Sequence, residues 1–292
     1  MKKVAFVIYR SWAYEIYKDI LAFQKTSKLF DVPILITTKE AEFVVPPGAY
    51  IVEGKDNNHI HAILKDLGVD IVFFYGWSWI VEGNLLSHFL CLCLHPSPLP
   101  RYRGGSPLQH QIISGEERSA VSVFKMDRGI DDGDIYKQTP FSLKGSLDDI
   151  FKRIVKVGTK VTKNLIIDVI RNKVTFLPQK NLNEYPPLKR RKKEESVVPF
   201  KDLNTFSYLR FYNLVRALTN PYPNVVIIVS EYKIFLQKIV KVKKPPEKYT
   251  LLCEKIDFSD KHAPLLYVEL KDSYVLLEKF SIFKNDTLIT SK

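Results

Sequence analysis

The 292 residues are 46% hydrophobic and 12% aromatic, which excludes a disordered or fibrous chain and suits one large domain or two modest ones with real cores. Lys and Arg outnumber Asp and Glu 44 to 32, a net charge of +12, unevenly spread: 24 basic against 19 acidic residues over 1–180 (+5), 20 against 13 over 181–292 (+7). No apolar run approaches the ~20 residues of a membrane span, the run after Met1 is too short for a secretory signal, and three cysteines give no disulfide framework, so the expected compartment is the cytoplasm.

Residues 2–9 read as a buried strand, followed by a helix over 12–22 with Ile16, Ile20 and Leu21 at helical spacing behind Ser11 as N-cap. A β-branched run at 32–37, a short amphipathic helix at 57–67 and a buried strand at 69–75, stopped by Gly76, continue the alternation. That pattern predicts a mostly parallel, Rossmann-like sheet covered on both faces. Residues 85–90 read as helix and 91–95 as a strand, which Pro96, Pro98 and Pro100 terminate. A short helix at 107–114, a strand at 120–126 and a turn at 131–136 entering another strand follow. Ser146 opens a long helix with Asp148 and Asp149 in its first turn and an apolar stripe from Phe151 to Val169.

Residues 181–204 lose periodicity through Pro186-Pro187 and the run KRRKK at 189–193, and read as a linker behind a catalytic domain at 1–180. Residues 205–292 read as a helix (205–219), the turn Asn220-Pro-Tyr-Pro223 and short strands at 225–229, 232–241, 249–253, 265–269 and 274–280. The spacing suits a small mostly-β, OB-like domain.

The stretch CLCLHPSPLPRYRGGSP, residues 91–107, carries the chemistry. Strand alternation puts Cys91, Cys93 and His95 on one face, but residues about 6 to 7 Å apart chelate one ion poorly and no fourth ligand has zinc-type spacing, so no metal is assigned. The cysteines alone read as small buried hydrophobes. A histidine at the carboxyl end of a strand in an open α/β sheet stands where such sheets bind ligands.

His95-Pro-Ser-Pro-Leu-Pro-Arg-Tyr-Arg-Gly-Gly-Ser-Pro107, Ile112-Ile-Ser-Gly-Glu116 and Met126-Asp-Arg-Gly-Ile-Asp131-Asp-Gly-Asp-Ile135, with Gly68 to Trp79 upstream and Tyr212 to Pro223 downstream, resemble the 10-formyltetrahydrofolate-dependent formyltransferases. The resemblance implies His95 and Asp131 as the catalytic pair, with Gly104, Pro107 and Gly133 shaping loops. It implies a folate pocket that draws on Tyr75, Gly76, Trp77, Trp79, Ile80, Gly129, Ile130 and Asp131. The family's catalytic asparagine falls on Cys93, a departure; a thiol is a weak donor, and Gln109 or Gln111 are the nearest substitutes in sequence. A metal or covalent nucleophile is not required.

Three readings of the function follow. A nucleotide-linked amino sugar is favoured, with Arg10, Trp12, Arg101, Arg103 and Gly104 as contacts, because Arg forks suit phosphate and the stretch after Val32 lacks the long basic insertion of tRNA-acting relatives. Methionyl-tRNA is the alternative, suggested by the basic second part. A weakened relative that only binds is the third. No membrane partner is expected, and a homodimer is left open.

Overall fold

The computed structural model describes residues 1–243, 250–252 and 265–292. Its chain divides into two compact units, residues 1–107 with 118–189 and residues 108–117 with 190–292. In chain order the first unit contains β1 (Val4–Ile8), α1 (Ser11–Ser27), β2 (Ile34–Thr37), β3 (Tyr50–Ile51), α2 (Asn57–Asp66), β4 (Ile71–Tyr75), α3 (Gly83–His88) and β5 (Leu90–His95). Past α4 (Pro107–Ile113) it resumes with β6 (Arg118–Lys125), β7 (Ile135–Ser142) and α5 (Leu147–Ile170).

Its sheet has the order β3-β2-β1-β4-β5-β6-β7. The first five strands are parallel, and β6 and β7 turn antiparallel at one edge. The mostly parallel prediction therefore holds. Strands β1 and β4 are buried along their whole length, as continuous apolar runs require. One face is covered by a cluster that includes Ala5, Val7, Ile60, Leu64, Val72, Phe74, Leu85 and Cys91. Helices α1 and α5 pack together against the other. A Cβ on Gly158 of α5 would come within 2.7 Å of Ile16 Cδ1 and 2.8 Å of Leu94 Cδ1, so glycine lets α5 approach α1 and β5 closely.

Helix α5 starts as its sequence says, with Ser146 and Asp149 forming a capping box, a device worth about 1 kcal/mol. Helix α1 is longer than expected and its N-cap is Arg10, with no side-chain cap, rather than Ser11, which is already helical. The second unit contains α4 from Leu108, β8 (Val197–Pro199), α6 (Tyr208–Ala217), β9 (Val225–Val229), β10 (Tyr232–Val242), β11 (Thr250–Leu251), β12 (Leu266–Glu269), β13 (Tyr274–Lys284) and β14 (Thr287–Ser291).

The sheet of this unit runs β11-β12-β13-β10-β9-β8, with β14 on β13. It is strand-rich as expected, but mixed, with parallel pairs β8–β9 and β11–β12. Closure into an OB-type barrel is not among the pairings of the described residues. The expected strand at 249–253 is met at 250–251; residues 249 and 253, Cys253 included, lie outside the described residues.

The expected linker at 181–204 is divided. Residues up to 189 belong to the first unit, where Leu188 bridges Gly104, and β8 belongs to the second. Such short pairings leave no periodicity to read in sequence. Among the described residues no helix is long and apolar enough to cross a membrane.

Candidate active site

Strand alternation on β5 sends Leu94 toward α5 and places Cys91 in the opposite cluster, with Cys93 and His95 following Cys91 along the same face. His95 ends β5 and is 6% exposed. The prolines after it force a compact turn that hydroxyl and amide groups hold down. Ser97 Oγ donates to the Arg101 carbonyl at 2.8 Å, Ser122 Oγ to the Ser97 carbonyl, and Gln138 Nε2 to the Leu99 carbonyl at 2.7 Å and to Ser122 Oγ at 3.0 Å. This turn brings the Tyr102 carbonyl to 2.9 Å from His95 Nε2.

The loop at 126–134 supplies the carboxylate. Gly133 packs so closely on the end of β6 that a Cβ would lie 1.8 Å from the Lys125 carbonyl, and Asp131 takes a left-handed backbone with φ 49°. Asp131 Oδ2 lies 3.3 Å from His95 Nδ1 and accepts the Gly104 N–H at 2.8 Å. Each ring nitrogen of His95 thus meets an acceptor, and both contacts are hydrogen bonds only when both nitrogens carry protons. The predicted pair is brought together by the structure.

Cys93 occupies the strand position two before His95, paired in register with Phe74 on one side and Phe124 on the other. Burial, and secondarily the Asp131 carboxylate, pushes its thiol well above the ordinary range. It is a neutral S–H near the Asp131 charge and has no thiolate to attack with. Cys91 is pushed up to about 12 by burial and its Sγ points at the Leu85 carbonyl, 3.5 Å away. Gln109 is buried on α4, in a segment that belongs to the second unit, and its Nε2 has no partner among the described residues.

The residues expected to hold a pterin divide into two sets. Gly76, with φ +57°, turns the chain where a Cβ would lie 2.8 Å from Arg10 side-chain atoms. Trp77 packs on the apolar cluster with its Nε1 buried and without a partner among the described residues. Trp79 stands between Trp77 and Tyr9, with ring centroids 4.8 Å and 5.4 Å away, over Gly54, where a Cβ would come within 2.2 Å of the indole. Ile80 is 79% exposed and Ile130 53%, apolar surface of the kind a ligand covers. Gly129 is exposed on the Asp131 loop. Tyr75 is corrected: its ring is wholly buried against Phe6 and Phe73 and its hydroxyl pairs with Thr162 Oγ1 of α5 at 2.9 Å, on the other side of the sheet.

Three of the residues expected to hold acceptor have structural partners instead. Arg10 forms an ion pair with Glu42 and lies over the Tyr9 ring. Trp12 is buried in the first turn of α1. Arg103 is 13% exposed; its Nε donates to the Tyr185 carbonyl at 2.8 Å and its Nη1 to the Ile130 carbonyl at 3.4 Å. This guanidinium ties three segments together. Arg101 is exposed, its guanidinium 5.3 Å from the Tyr102 ring centroid. Gly104, with φ +96°, gives its N–H to Asp131 and lies so close to Leu188 that a Cβ would sit 2.5 Å from that carbonyl.

Sequence reasoning missed Ser122, Gln138, Gln179 and the Tyr102 carbonyl. Gln179 Nε2 donates to the carbonyls of Asp131 and Gly133, both at 2.9 Å. The three side chains act on backbone carbonyls and the Tyr102 group is itself backbone, and such contacts leave no spacing signal. Among the described residues no three His, Cys, Asp or Glu side chains are grouped to hold a metal ion.

The sequence pattern of the family described as Formyl transferase matches residues 18–170. A methionyl-tRNA formyltransferase of Rickettsia bellii (strain RML369-C) is 29% identical over 198 residues, 66% of this chain and 61% of that protein. The chain thus spans about three-fifths of the length of that curated relative. The solved methionyl-tRNA formyltransferase from Clostridium thermocellum is similar with TM-score 0.64 at 24% identity, over 82% of this chain and 93% of its own. WlaRD, a sugar 3N-formyl transferase crystallised in the presence of dTDP and 5-N-formyl-THF, is similar with TM-score 0.62 at 17% identity, over 99% of this chain and 96% of its own. Both likenesses are of fold.

Proposed function

Because the chain belongs to the formyl transferase family, we propose that it moves the formyl group of 10-formyltetrahydrofolate to the amino group of a nucleotide-linked sugar. The observation that carries formyl transfer is the pair His95–Asp131, 3.3 Å apart at the carboxyl end of β5. The amine nitrogen attacks the formyl carbon, a tetrahedral oxyanion forms, and the bond to N10 breaks as that nitrogen gains a proton. Asp131 holds Nδ1 of His95, which leaves Nε2 to take the proton of the amine and return one to N10. The Tyr102 carbonyl, which pairs with Nε2 only while that nitrogen carries a proton, gives way to the reacting groups when Nε2 is bare and acts as the base. Trp77, Trp79, Ile80 and Ile130 fit the folate: they offer flat apolar surface.

For the acceptor, the segment between β2 and β3 carries Lys39 but also Glu40 and Glu42, the latter engaged by Arg10, so it offers no basic arm to a polynucleotide. The fold likeness to WlaRD supports the same reading. Methionyl-tRNA is the second reading, favoured by the Rickettsia relative. The test mixes the protein with 10-formyltetrahydrofolate and dTDP-, UDP- or GDP-linked amino sugars, or charged methionyl-tRNA, and follows product mass. A gain of one formyl group on a sugar, lost in His95→Ala, is the expected result. Formylation of the tRNA alone overturns the acceptor, and no product on any of them overturns the reaction.

A further inference from the structure

The segment 177–188, which carries no periodic signal, is hydrogen-bonded to both loops that meet at Asp131. Leu177 exchanges two backbone hydrogen bonds with Ile135, at 2.8 and 2.9 Å, and so anchors the segment just past the carboxylate loop. Two residues on, the Gln179 amide spends both N–H groups on the carbonyls of Asp131 and Gly133. At the far end, Leu188 N–H bonds the Arg103 carbonyl and the Leu188 carbonyl takes the Gly105 N–H, each at 2.8 Å. Gly104, held between them, gives its own N–H to Asp131 Oδ2. One segment thus fixes Asp131 from two sides, its backbone through Gln179 and its carboxylate through Gly104.

Two features make Gln179 specific rather than generic packing. Asp131 sits in the left-handed region, φ 49°, which costs a non-glycine residue free energy and persists only when surroundings enforce it. The only side chain that bonds the carbonyl of that strained residue, among the hydrogen bonds of the described residues, is Gln179. Its amide orientation is also determined, since reversing it would set an oxygen against two carbonyl oxygens. Gln179 Oε1 is buried with no partner among the described residues, so the amide is held by its donors alone.

We propose that Gln179 is a positioning residue for the reaction: by pinning the Asp131 and Gly133 carbonyls it aims the Asp131 carboxylate at His95 Nδ1, while Leu188 aligns the Gly104 N–H on the same oxygen. This rests on the formyl-transfer reading for its kinetic consequence only. Gln179→Met keeps length and bulk and deletes both donors. The first readout needs no turnover: the downfield proton resonance of His95 Nδ1–H donating to a carboxylate, observed in the full chain labelled with 15N-histidine and identified by its loss in Asp131→Asn. It is expected to move upfield or vanish in Gln179→Met, with Leu177→Pro, which deletes the N–H that bonds the Ile135 carbonyl, as the control for merely loosening the segment.

The second readout is kinetic, with 10-formyltetrahydrofolate and the amino-sugar nucleotide panel. kcat is expected to fall between about tenfold and a hundredfold, the scale of an ångström-level misplacement, with KM for the folate within twofold. In an Asp131→Asn background the same substitution is expected to cost less than twofold, because the residue acts through Asp131. An unchanged Nδ1–H resonance in Gln179→Met, or an equal loss of kcat in both backgrounds, overturns the proposal. Absence of any formyl transfer by the unsubstituted protein overturns the reaction instead, and the resonance still decides the positioning role.

Discussion

Gly133→Ala is the sharpest test of the idea that backbone geometry sets the proposed catalytic pair. A Cβ at this position would lie 1.8 Å from the Lys125 carbonyl oxygen, 3.0 Å from its carbon and 3.3 Å from the Asp127 nitrogen. Ordinary contact begins near 3.4 Å, so the methyl is about 1.6 Å too close to one atom. All the opposing atoms are backbone and cannot swing away as a side-chain end would. The loop has to lift off β6, and Asp131, two residues away, moves with it; the Gln179 bond to the Gly133 carbonyl is strained at the same time. A shift of order 1 Å in an oriented group costs roughly a hundredfold in rate. The expected outcome is a fall in kcat of about that size, with a loss of stability of about 1–3 kcal/mol from overpacking. Turnover of 10-formyltetrahydrofolate and urea denaturation measure the two effects separately, and calorimetric binding of 5-formyltetrahydrofolate checks that folate affinity is kept. Gly83→Ala is the matched control, since a Cβ there meets nothing within 4 Å. A Gly133→Ala protein with undiminished kcat would refute the reasoning.

Gly54→Ala drives a Cβ into the Trp79 ring, and 5-formyltetrahydrofolate affinity is expected to fall about tenfold, the cost of losing one aromatic contact; unchanged affinity removes Trp79 from the pocket. Folded Cys91 keeps its proton up to about 12, against 9.0 for an unperturbed thiol. The folded chain therefore binds more protons than the unfolded one between those values, and stability falls as pH rises through the window, by at most about 1.4 kcal/mol per pH unit from this group. Urea midpoints from pH 8 to 11 are expected to show that slope, shallower in Cys91→Ala. Cys93→Asn restores an amide donor at the position two before His95 and is expected to raise kcat, by up to the hundredfold that one oxyanion donor is worth; an unchanged kcat means that other donors already hold the oxyanion.

The elements legible in sequence are those with long-range regularity. Strands β1, β4 and β5 announce themselves as apolar runs, and α5 by its cap and stripe; the ends of those strands are where His95 and the Gly76–Trp79 loop fall. The Asp131 loop was legible through its resemblance to a family pattern rather than through its own composition, because Asp and Gly clusters also make plain turns. What was not legible is how the loops are held. Arg103 reads as a phosphate fork from composition alone, yet its neighbours offer it two carbonyls, and a guanidinium with acceptors inside the fold has little reason to face a ligand. Tyr75 illustrates the parity of a strand: one residue before the turn, its ring falls on the α5 side of the sheet. Residues 177–188 look like linker because irregular backbone pairing has no period.

The departure at Cys93 narrows what the chemistry can be. Burial and the Asp131 charge both oppose its ionisation, so a thiolate route would have to work against two effects at once. A protonated thiol beside a carboxylate is compatible with direct attack by the amine and contributes at most a weak donor. In the proposed reaction the oxyanion has to be met by groups already oriented, and His95 can serve there only once Nε2 has left the Tyr102 carbonyl and taken the amine's proton. In the proposed reaction, the Ser122 and Gln138 bonds that staple the turn after β5 set the Tyr102 carbonyl on one side of that ring, opposite Asp131, until the reacting nitrogens displace it.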